Sequence, residues 1–469
     1  MKKLFIDAKI MKPLTNPLSI KWILLIGALL VIFPACQKET THRSIQEEIT
    51  TAANNSDSGH LKQTKTFSSD VVFKWIDLNR RILLTTTRTA AGIRVNREFA
   101  YTGIALYESV VPGMPAYQSL SSQLNQMPQM PSTQPGLAYY WPACANTALA
   151  TMNRFFFPTT SVANKTSMDS LEAALNSEFM NEANNEEIQR SIQFGKDVAQ
   201  KIIDWSKTDG ADHAFDPYTA PVGPGLWVPT PPALQAAAGP YWGDNRTIVP
   251  GSINGALPPS PIPYSEDPSS DFFKMEKEVY DASQSLTAEQ TAIGLFWLDV
   301  GIGAGGHWLY ILKQVLLSNE SKLDIAALAY AKGGIYINDA TISSFKTKYI
   351  YNVERPITYI RNVMGYTTWN ALFATPAHPD YSSAHTVQCT AIADAFTSIF
   401  GNNYQFTDHQ FDNIGMASRS YSSFNAVVTE VAQARVYAGI HTRMACEAGI
   451  TEGEKVAQNI DNRLKFLKE

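Results

Sequence analysis

This sequence contains few cysteines and few histidines, and it has no excess of positive charge. Its 469 residues include four cysteines and eight histidines, and 38 Lys and Arg stand against 43 Asp and Glu, for a formal net charge of −5. Because the chain lacks a basic field, we predict that nucleic acid is not a partner. Cys144, Cys389 and Cys446 are too scattered for a disulfide framework or a zinc site. Buried thiols are the simpler interpretation, and a single Cys389–Cys446 bond stays open.

Long hydrophobic runs are also missing, except near the N-terminus. In "SIKWILLIGALLVIFPAC", Lys21 precedes an apolar run over residues 22–33, and Ala35 and Cys36 follow it. This run is shorter than the roughly 20 residues that cross a bilayer, and it suits the core of a signal peptide. Its end resembles a bacterial lipoprotein processing site. An ordinary secretory signal with an incidental cysteine is the alternative.

The lipoprotein resemblance implies an exported protein. We expect a lipoprotein signal peptide over residues 1–36, a lipid anchor to the membrane at Cys36, and a polar tether over residues 37–66 that is rich in Ser, Thr, Asn, Gln and charge. The mature protein is then an outer-membrane or cell-surface lipoprotein, with the periplasmic side as a further location. Residues 67–469 remain for one folded domain, which is long enough to bury a large core.

Helical periodicity dominates this domain, and alternating strand patterns are scarce. Residues 184–205 place Ile188, Ile192 and Ile202 on one stripe, and Thr287 and Gln290 have the spacing of a capping box. Further helices are predicted over about 69–85, 92–111, 137–157, 306–320, 323–351, 384–400 and 421–465. The predicted fold class is therefore all-α, as a helical bundle.

Residues 207–267 interrupt the helical pattern. This segment is dense in Pro and Gly, which predicts a long excursion without regular structure. Trp227 and Trp242 are the side chains expected to dock it onto the helices. A domain boundary is the alternative, although the composition does not change across the segment.

The last third of the chain contains cations at regular spacing. Lys348 and Arg355 are seven residues apart in "KYIYNVERP". If both lie on one helix, they leave the same face roughly 10 Å apart, because seven residues make about two turns. Two cations on one face repel each other unless they share an anion. Two solvated surface charges are the alternative interpretation.

Two histidines flank a serine pair in "TPAHPDYSSAHTVQC". Ser382 or Ser383 is suited to be the N-cap of the helix that follows. The first N–H groups of that helix, including those of Ala384 and His385, have no partner within it and form an anion site. His385 adds a proton that titrates near neutral pH. An ordinary cap beside a structural histidine is the alternative.

A third pair lies in "ARVYAGIHTR", where His441 follows Arg435 by six residues. Six positions advance about 240° on a regular helix, so the two side chains would not share a face. They converge only if the helix bends or ends between them, and Gly439 is a suitable place for that.

Together the three segments resemble the site of the vanadium haloperoxidases and type 2 phosphatidic acid phosphatases. The order is K-x6-R-P, then S-x-H, then R-x5-H. "NREFAYTGIALYESVVPGMPAY", "LFWLDVG" and "GGHWLYI" look like the soluble bacterial haloperoxidase-like group, so the resemblance covers about residues 70–465. It implies an all-α bundle whose three motif segments surround one oxyanion, which is vanadate or phosphate.

The resemblance also implies a role for each matching residue. Lys348, Arg355 and Arg435 match the cations that neutralise the oxyanion, while Ser383 and the backbone N–H of Ala384 match its donors. His385 matches the acid–base histidine. His441 matches the residue that is the ligand of vanadium or the nucleophile that forms a phosphohistidine. His378 stands where brominating enzymes tend to have histidine, which favours bromide or iodide; a loop histidine packed on Pro379 is the alternative.

The chain departs from the family pattern at several positions. Ala384 replaces the usual glycine and adds a Cβ, Phe345 stands where haloperoxidases often have Trp, and Ala434 and Ala445 stand where the third motif often has Ser and Asp. Another group must therefore fix the tautomer of His441. The candidates are a backbone carbonyl, Asp299 or Glu447. His307, His213 and His409 have no such context and are predicted to be structural or exposed.

Three functions remain compatible with this pattern. The preferred one is a vanadate-dependent haloperoxidase that oxidises halide with hydrogen peroxide, where vanadium serves as a Lewis acid. The second is an acid phosphatase that hydrolyses phosphate monoesters through a phosphohistidine. The third is an inactive surface lipoprotein that uses the scaffold for binding. The mature chain lacks the several membrane helices of lipid-phosphate phosphatases, which favours the peroxidase.

Overall fold

A computed structural model describes residues 62–88, 90–299 and 301–469. The predicted signal peptide, the anchor residue Cys36 and most of the predicted tether lie outside these residues. Within them there are thirteen α-helices: α1 (Asp70–Thr85), α2 (Ala91–Val110), α3 (Trp141–Phe156), α4 (Val162–Phe179), α5 (Asn185–Ser206), α6 (Asp271–Gln284), α7 (Ala288–Phe296), α8 (Gly303–Ser318), α9 (Leu323–Tyr351), α10 (Pro356–Asn362), α11 (Ala384–Phe400), α12 (Phe424–Tyr437) and α13 (Arg443–Arg463).

The only strands in the described ranges are β1 (Phe406–Asp408) and β2 (Arg419–Tyr421), which pair antiparallel with Thr407 opposite Ser420. The predicted all-α class is confirmed. Among the helices of this part of the chain, none combines the length and the apolar character needed to cross a bilayer.

Local sequence signals account for several helix starts. Thr287 caps α7 with the predicted capping box: its Oγ1 accepts from the N–H of Gln290 at 3.1 Å, and the side chain of Gln290 accepts from the N–H of Thr287 at 2.9 Å. Helix α4 is absent from the predicted helices, because few apolar residues mark its buried side, among them Met168, Leu175 and Phe179.

Helix α9 forms the centre of the bundle and is buried on nearly all sides. It packs mainly against α2 and also against α11 and α13. Two glycines permit the close approach of α2 and α9. A Cβ at Gly103 would lie 2.6 Å from the carbonyl oxygen of Tyr330, and one at Gly334 would lie 2.7 Å from the Cα of Ala100.

The predicted helix over 421–465 is two helices, α12 and α13, because the chain turns between them. Gly439 has a φ of +73°, in the left-handed region where a Cβ is unfavourable. The predicted break at Gly439 is therefore confirmed, and one continuous helix over this range is wrong.

The proline- and glycine-rich segment 207–267 contains no α-helix, and its two tryptophans are buried. The backbone N–H of Trp227 donates to the carbonyl oxygen of Asn352, the residue after α9, at 2.7 Å. Trp242 packs in a cluster with Ile93, Ile342 and Phe345. Both residues therefore fix the segment to the helices, and one of these contacts is at the end of α9 that carries Lys348.

Candidate oxyanion site

A cavity of about 790 Å³ opens between the helical bundle and the proline- and glycine-rich segment. Its inner end is lined by His378, Ala384, His385, Arg435 and His441. Apolar residues also line the cavity, among them Ile93, Phe345 and residues 236–238. Five of the predicted site residues therefore share one cavity. Lys348, Arg355 and Ser383 are fully buried behind its lining.

Lys348 and Arg355 do not lie on one helix, so that part of the sequence argument is wrong. Helix α9 ends at Tyr351, Asn352 takes a left-handed φ of 49°, and Arg355 is the N-cap of α10. Pro356 disfavours helical backbone at the residue before it, which explains the break. The two cations approach each other because the chain turns between two helices.

Lys348 holds the loop that precedes α11. Its ammonium donates to the backbone carbonyls of Pro379, Asp380 and Ser382. Three donors are all that an ammonium has. In this structure Lys348 therefore shapes the loop and places a buried positive charge directly beneath it.

Arg355 links two histidines of the cavity. Its Nε donates to the carbonyl oxygen of His378 at 2.7 Å, and its Nη2 lies 2.9 Å from His378 Nδ1. Its Nη1 donates to the carbonyl oxygen of Ile440 and lies 3.2 Å from His441 Nε2. Every donor of this group is thus directed toward the inner end of the cavity.

Arg435, in the last turn of α12, and His441, before the start of α13, reach the same cavity because the chain turns at Gly439. Arg435 donates through Nη2 to the carbonyl oxygen of Trp297. Its Nε is buried and has no hydrogen-bond partner within the described part of the chain. A buried donor without a partner is unfavourable, so an acceptor at this point would be bound.

Asp380, and neither Asp299 nor Glu447, is the acid beside His441, although Asp380 Oδ1 forms no hydrogen bond of good geometry there. His441 Nδ1 lies 2.6 Å from Asp380 Oδ1, and Thr442 Oγ1 donates to Asp380 Oδ2 at 2.8 Å. A carboxylate at Nδ1 favours the tautomer with the proton there and leaves a lone pair on Nε2. Asp380 lies inside the motif segment "HPDYSSAH", two residues after His378. An acidic side chain at this place was the signal in the sequence that could have identified the partner of His441.

Asp299 instead faces His385. The distance from His385 Nε2 to Asp299 Oδ2 is 3.3 Å, and neither atom has a hydrogen-bond partner of good geometry among the described residues. Asp299 follows α7 and has a φ of 52°, which non-glycine residues seldom adopt. Such strain is typical of functional sites.

The start of α11 offers backbone donors. Ser383 is the N-cap, as predicted, but makes no side-chain capping hydrogen bond; its hydroxyl accepts from Thr386 Oγ1 at 3.0 Å. The first N–H groups of α11 therefore stay available beside Ala384 and His385, which line the cavity. These donors suit an oxyanion such as vanadate or phosphate.

Burial and mutual repulsion lower the pKa of the basic groups here. The pKa of His441 falls well below its usual value because the ring is buried and because Arg355 and Lys348 lie near it. The pKa of Lys348 is lowered by burial and then by Arg355, against the opposing effect of Asp380. An anion among these groups would relieve the repulsion, so the residues present fit an oxyanion.

The cysteines near the site are free. Cys389 and Cys446 are buried thiols, so the Cys389–Cys446 disulfide that the sequence left open does not form. Trp308 Nε1 donates to Cys389 Sγ at 3.1 Å. Burial raises the pKa of both thiols to about 12, which makes them unreactive and confirms their structural character.

Known proteins resemble this chain in sequence and in fold. The family described as the VCPO second helical-bundle domain matches residues 329–468, which contain all of the predicted site residues. A bacterial vanadium-dependent iodoperoxidase is similar with 28% sequence identity and a TM-score of 0.78, and the match covers 86% of this chain and 98% of that one. Comparison with curated proteins gave no match.

Two further structures are similar in fold alone. An apo-type bacterial vanadium-dependent chloroperoxidase has 15% identity and a TM-score of 0.64, with 86% of this chain and 99% of that chain covered. A holo-type bacterial vanadium-dependent chloroperoxidase has 16% identity and a TM-score of 0.59, with 88% of this chain and 96% of that chain covered. The family match over residues 329–468 and the similarity to the iodoperoxidase support the expected superfamily of vanadium haloperoxidases and type 2 phosphatidic acid phosphatases.

Proposed function

We propose that this protein is a vanadate-dependent haloperoxidase that oxidises halide, with bromide or iodide favoured, using hydrogen peroxide. One observation carries the proposal: Arg435 and three histidines line one cavity, and the buried cations Lys348 and Arg355 lie behind that lining. Buried charges that are not fully paired are expensive, and a bound oxyanion is the group that would compensate them. The 28% identity to an iodoperoxidase supports this choice within the superfamily.

The residues take the following roles in the proposal. His441 would hold vanadium through a ring nitrogen, and the carboxylate of Asp380 beside Nδ1 favours Nε2 as that nitrogen. Lys348, Arg355 and Arg435 supply the positive charge that holds the oxyanion, and the N–H groups at the start of α11 bind its oxygens. When bound, vanadate supplies a Lewis acid that activates peroxide toward halide.

His385 moves protons in this proposal. Its ring lies at the cavity, and its side chain is 26% exposed, so it contacts both the site and solvent. Burial and Arg435 lower its pKa, while Asp299 raises it. The balance keeps the ring neutral near pH 7, in the state that accepts a proton from a bound reactant.

His378 is proposed to face the halide. It lies at the inner end of the cavity, where Phe345 packs edge-on at 5.3 Å between ring centroids. Burial, Lys348 and Arg355 lower its pKa. A neutral imidazole beside two cations leaves their field available to a halide anion, which supports this placement.

Phosphatase activity is the second candidate, and the tautomer of His441 favours it specifically. A neutral imidazole with a free Nε2 and a carboxylate on Nδ1 is also what nucleophilic attack on phosphorus requires. His385 would then protonate the leaving alcohol, and the same cations would stabilise the phosphoryl group.

The two reactions separate in one pair of assays. Protein incubated with orthovanadate is assayed for halogenation of monochlorodimedone with peroxide and each halide, and protein without vanadate is assayed for p-nitrophenyl phosphate hydrolysis. We expect halogenation with bromide or iodide and little phosphate release. Rapid hydrolysis without any halogenation would reverse this assignment, and the absence of both activities would indicate an inactive binding protein.

The location is a separate proposal that rests on the N-terminal sequence. We propose that Cys36 is lipidated and anchors the exported protein to a membrane through the tether. The Cys36→Ala variant should move from the membrane fraction to the soluble fraction. An unchanged membrane fraction would show that no lipid at Cys36 is needed.

A further inference from the structure

We propose that His307 and Asp408, which lie outside the cavity, are positioning residues for His385, acting through Asp299. Together the four side chains form a buried chain of acids and imidazoles. The proposal rests on the proposed function, because it takes His385 to be the proton-transferring residue.

The contacts run in one direction away from the cavity. Asp299 places Oδ2 at 3.3 Å from His385 Nε2 and Oδ1 at 2.7 Å from His307 Nδ1. His307 Nε2 lies 2.7 Å from Asp408 Oδ2. The side chains of Asp299, His307 and Asp408 are all fully buried.

His307 must be a cation in this arrangement. Each ring nitrogen faces a carboxylate oxygen, and a carboxylate accepts only, so both nitrogens need a proton. Burial opposes this charge, but Asp299 and Asp408 together raise the pKa of His307 to about 10. In turn, His307 keeps the pKa of Asp299 below its usual value although burial alone would raise it.

The chain is held rigidly. The ring of His307 stacks on Trp297, with 4.4 Å between centroids, and contacts Phe411 edge-on. The backbone N–H of Gln410 donates to Asp408 Oδ1 at 2.9 Å. A buried set of three charges is costly compared with apolar packing, which favours a role beyond stability.

The charged groups around His385 explain what this series of acids and imidazoles does. Arg435, His307 and His441 present positive charge or basic rings near His385, and Asp299 presents the opposing carboxylate. Without a fixed anion, the imidazolium form of His385 would be strongly disfavoured. His307 keeps Asp299 ionised and aimed, so His385 can both accept and return a proton near neutral pH.

The test uses the full protein without vanadate, labelled with 15N-histidine, and follows each imidazole by NMR between pH 5 and 9. We expect His307 to keep both ring protons throughout. The Asp299→Asn variant, in which asparagine tolerates the left-handed backbone, should lower the titration midpoint of His385. His307→Gln should also lower it, because Asp299 then loses the cation that keeps it ionised and aimed; each shift should be about half a unit or more. His409→Gln is the matched control, because His409 pairs with Asp412 at the surface, and it should change nothing.

Loss of the His307 charge alone would raise the midpoint of His385, so a fall in both variants distinguishes the positioning role through Asp299. The proposal is overturned if His307→Gln raises the midpoint, if either variant leaves it unchanged, or if wild-type His307 loses a proton below pH 8. If His307→Gln does not fold, the Asp408→Asn variant provides the test instead. Removing one carboxylate must lower the pKa of His307 enough for its titration to be seen between pH 5 and 9. No vanadate, halide or phosphate ester is present, so these outcomes are independent of which reaction the protein catalyses.

Discussion

At the scale of single residues, the pairing of His441 with Asp380 determines what the site can bind. The carboxylate beside Nδ1 favours the tautomer with the proton there, and burial and the nearby cations lower the pKa of the ring, which favours a neutral imidazole with its lone pair on Nε2. Arg355 lies 3.2 Å from that nitrogen and 3.7 Å from Asp380. The ring of His441 therefore lies between the carboxylate of Asp380 and the guanidinium of Arg355.

Asp380→Asn should weaken orthovanadate binding by about 10- to 100-fold, because an amide does not enforce the tautomer that frees Nε2. Equilibrium titration measures this change. The matched control is Asp412→Asn, which alters an exposed pair in which Asp412 Oδ2 lies 2.7 Å from His409 Nδ1. Equal affinity in Asp380→Asn and wild type would show that Asp380 does not set the tautomer.

The sequence identified His441 but not its partner. Spacing along one helix relates residues that are a few positions apart, whereas Asp380 and His441 come from loops before two different helices, α11 and α13. Only the tertiary fold brings these loops together. The same limit applies to His307, whose two acidic partners, Asp299 and Asp408, lie outside its own helix.

At the scale of the helices, the site depends on where helices end. Lys348, Arg355, Ser383, Arg435 and His441 all lie in a terminal turn, at a cap, or in a loop beside one. Pro356 and Gly439 mark two of these ends in the sequence, and only the second was used for the prediction. The helix spans themselves were predictable from periodicity, because most have a marked apolar face.

Gly439→Ala should reduce stability and displace His441 from Arg435. Its methyl group would lie 3.0 Å from the ring of Trp369, in addition to the strain at φ +73°. Gly415→Ala is the control, since its φ is +81° and no described atom lies within 4 Å of the added Cβ. We expect a loss of about 1 kcal/mol at Gly415 and about 1–3 kcal/mol more at Gly439, measured by urea unfolding. Equal losses would contradict the importance of this contact.

Glu452 connects α13 to α9 and to the loop before α11. It accepts from Ser343 Oγ at 2.6 Å, from Thr347 Oγ1 at 2.8 Å and from the hydroxyl of Ser382. Glu452→Ala leaves these hydroxyls buried without their acceptor, so the free energy of unfolding should fall by about 2–4 kcal/mol. Glu447→Ala, on the exposed side of α13, should change it little. Similar stability of the two variants would show that this connection is unimportant.

At the scale of the whole molecule, the bundle surrounds a cluster of positive charge that only a ligand can compensate fully. A ligand that binds only the folded state stabilises it according to its concentration and affinity. Orthovanadate at 100 times its Kd should therefore add about 2.7 kcal/mol and raise the Tm by several degrees. Sulfate at the same ionic strength is the control, and an equal rise with sulfate would indicate general anion binding instead.

The central claim is that the buried cations and histidines form one specific oxyanion site. Calorimetric titration with orthovanadate, in wild type and in His441→Ala, tests it most directly. The account predicts one site per chain in wild type, competition by phosphate, and loss of binding in His441→Ala while His385→Ala still binds. Absence of binding in wild type, or unchanged affinity in His441→Ala, would contradict it.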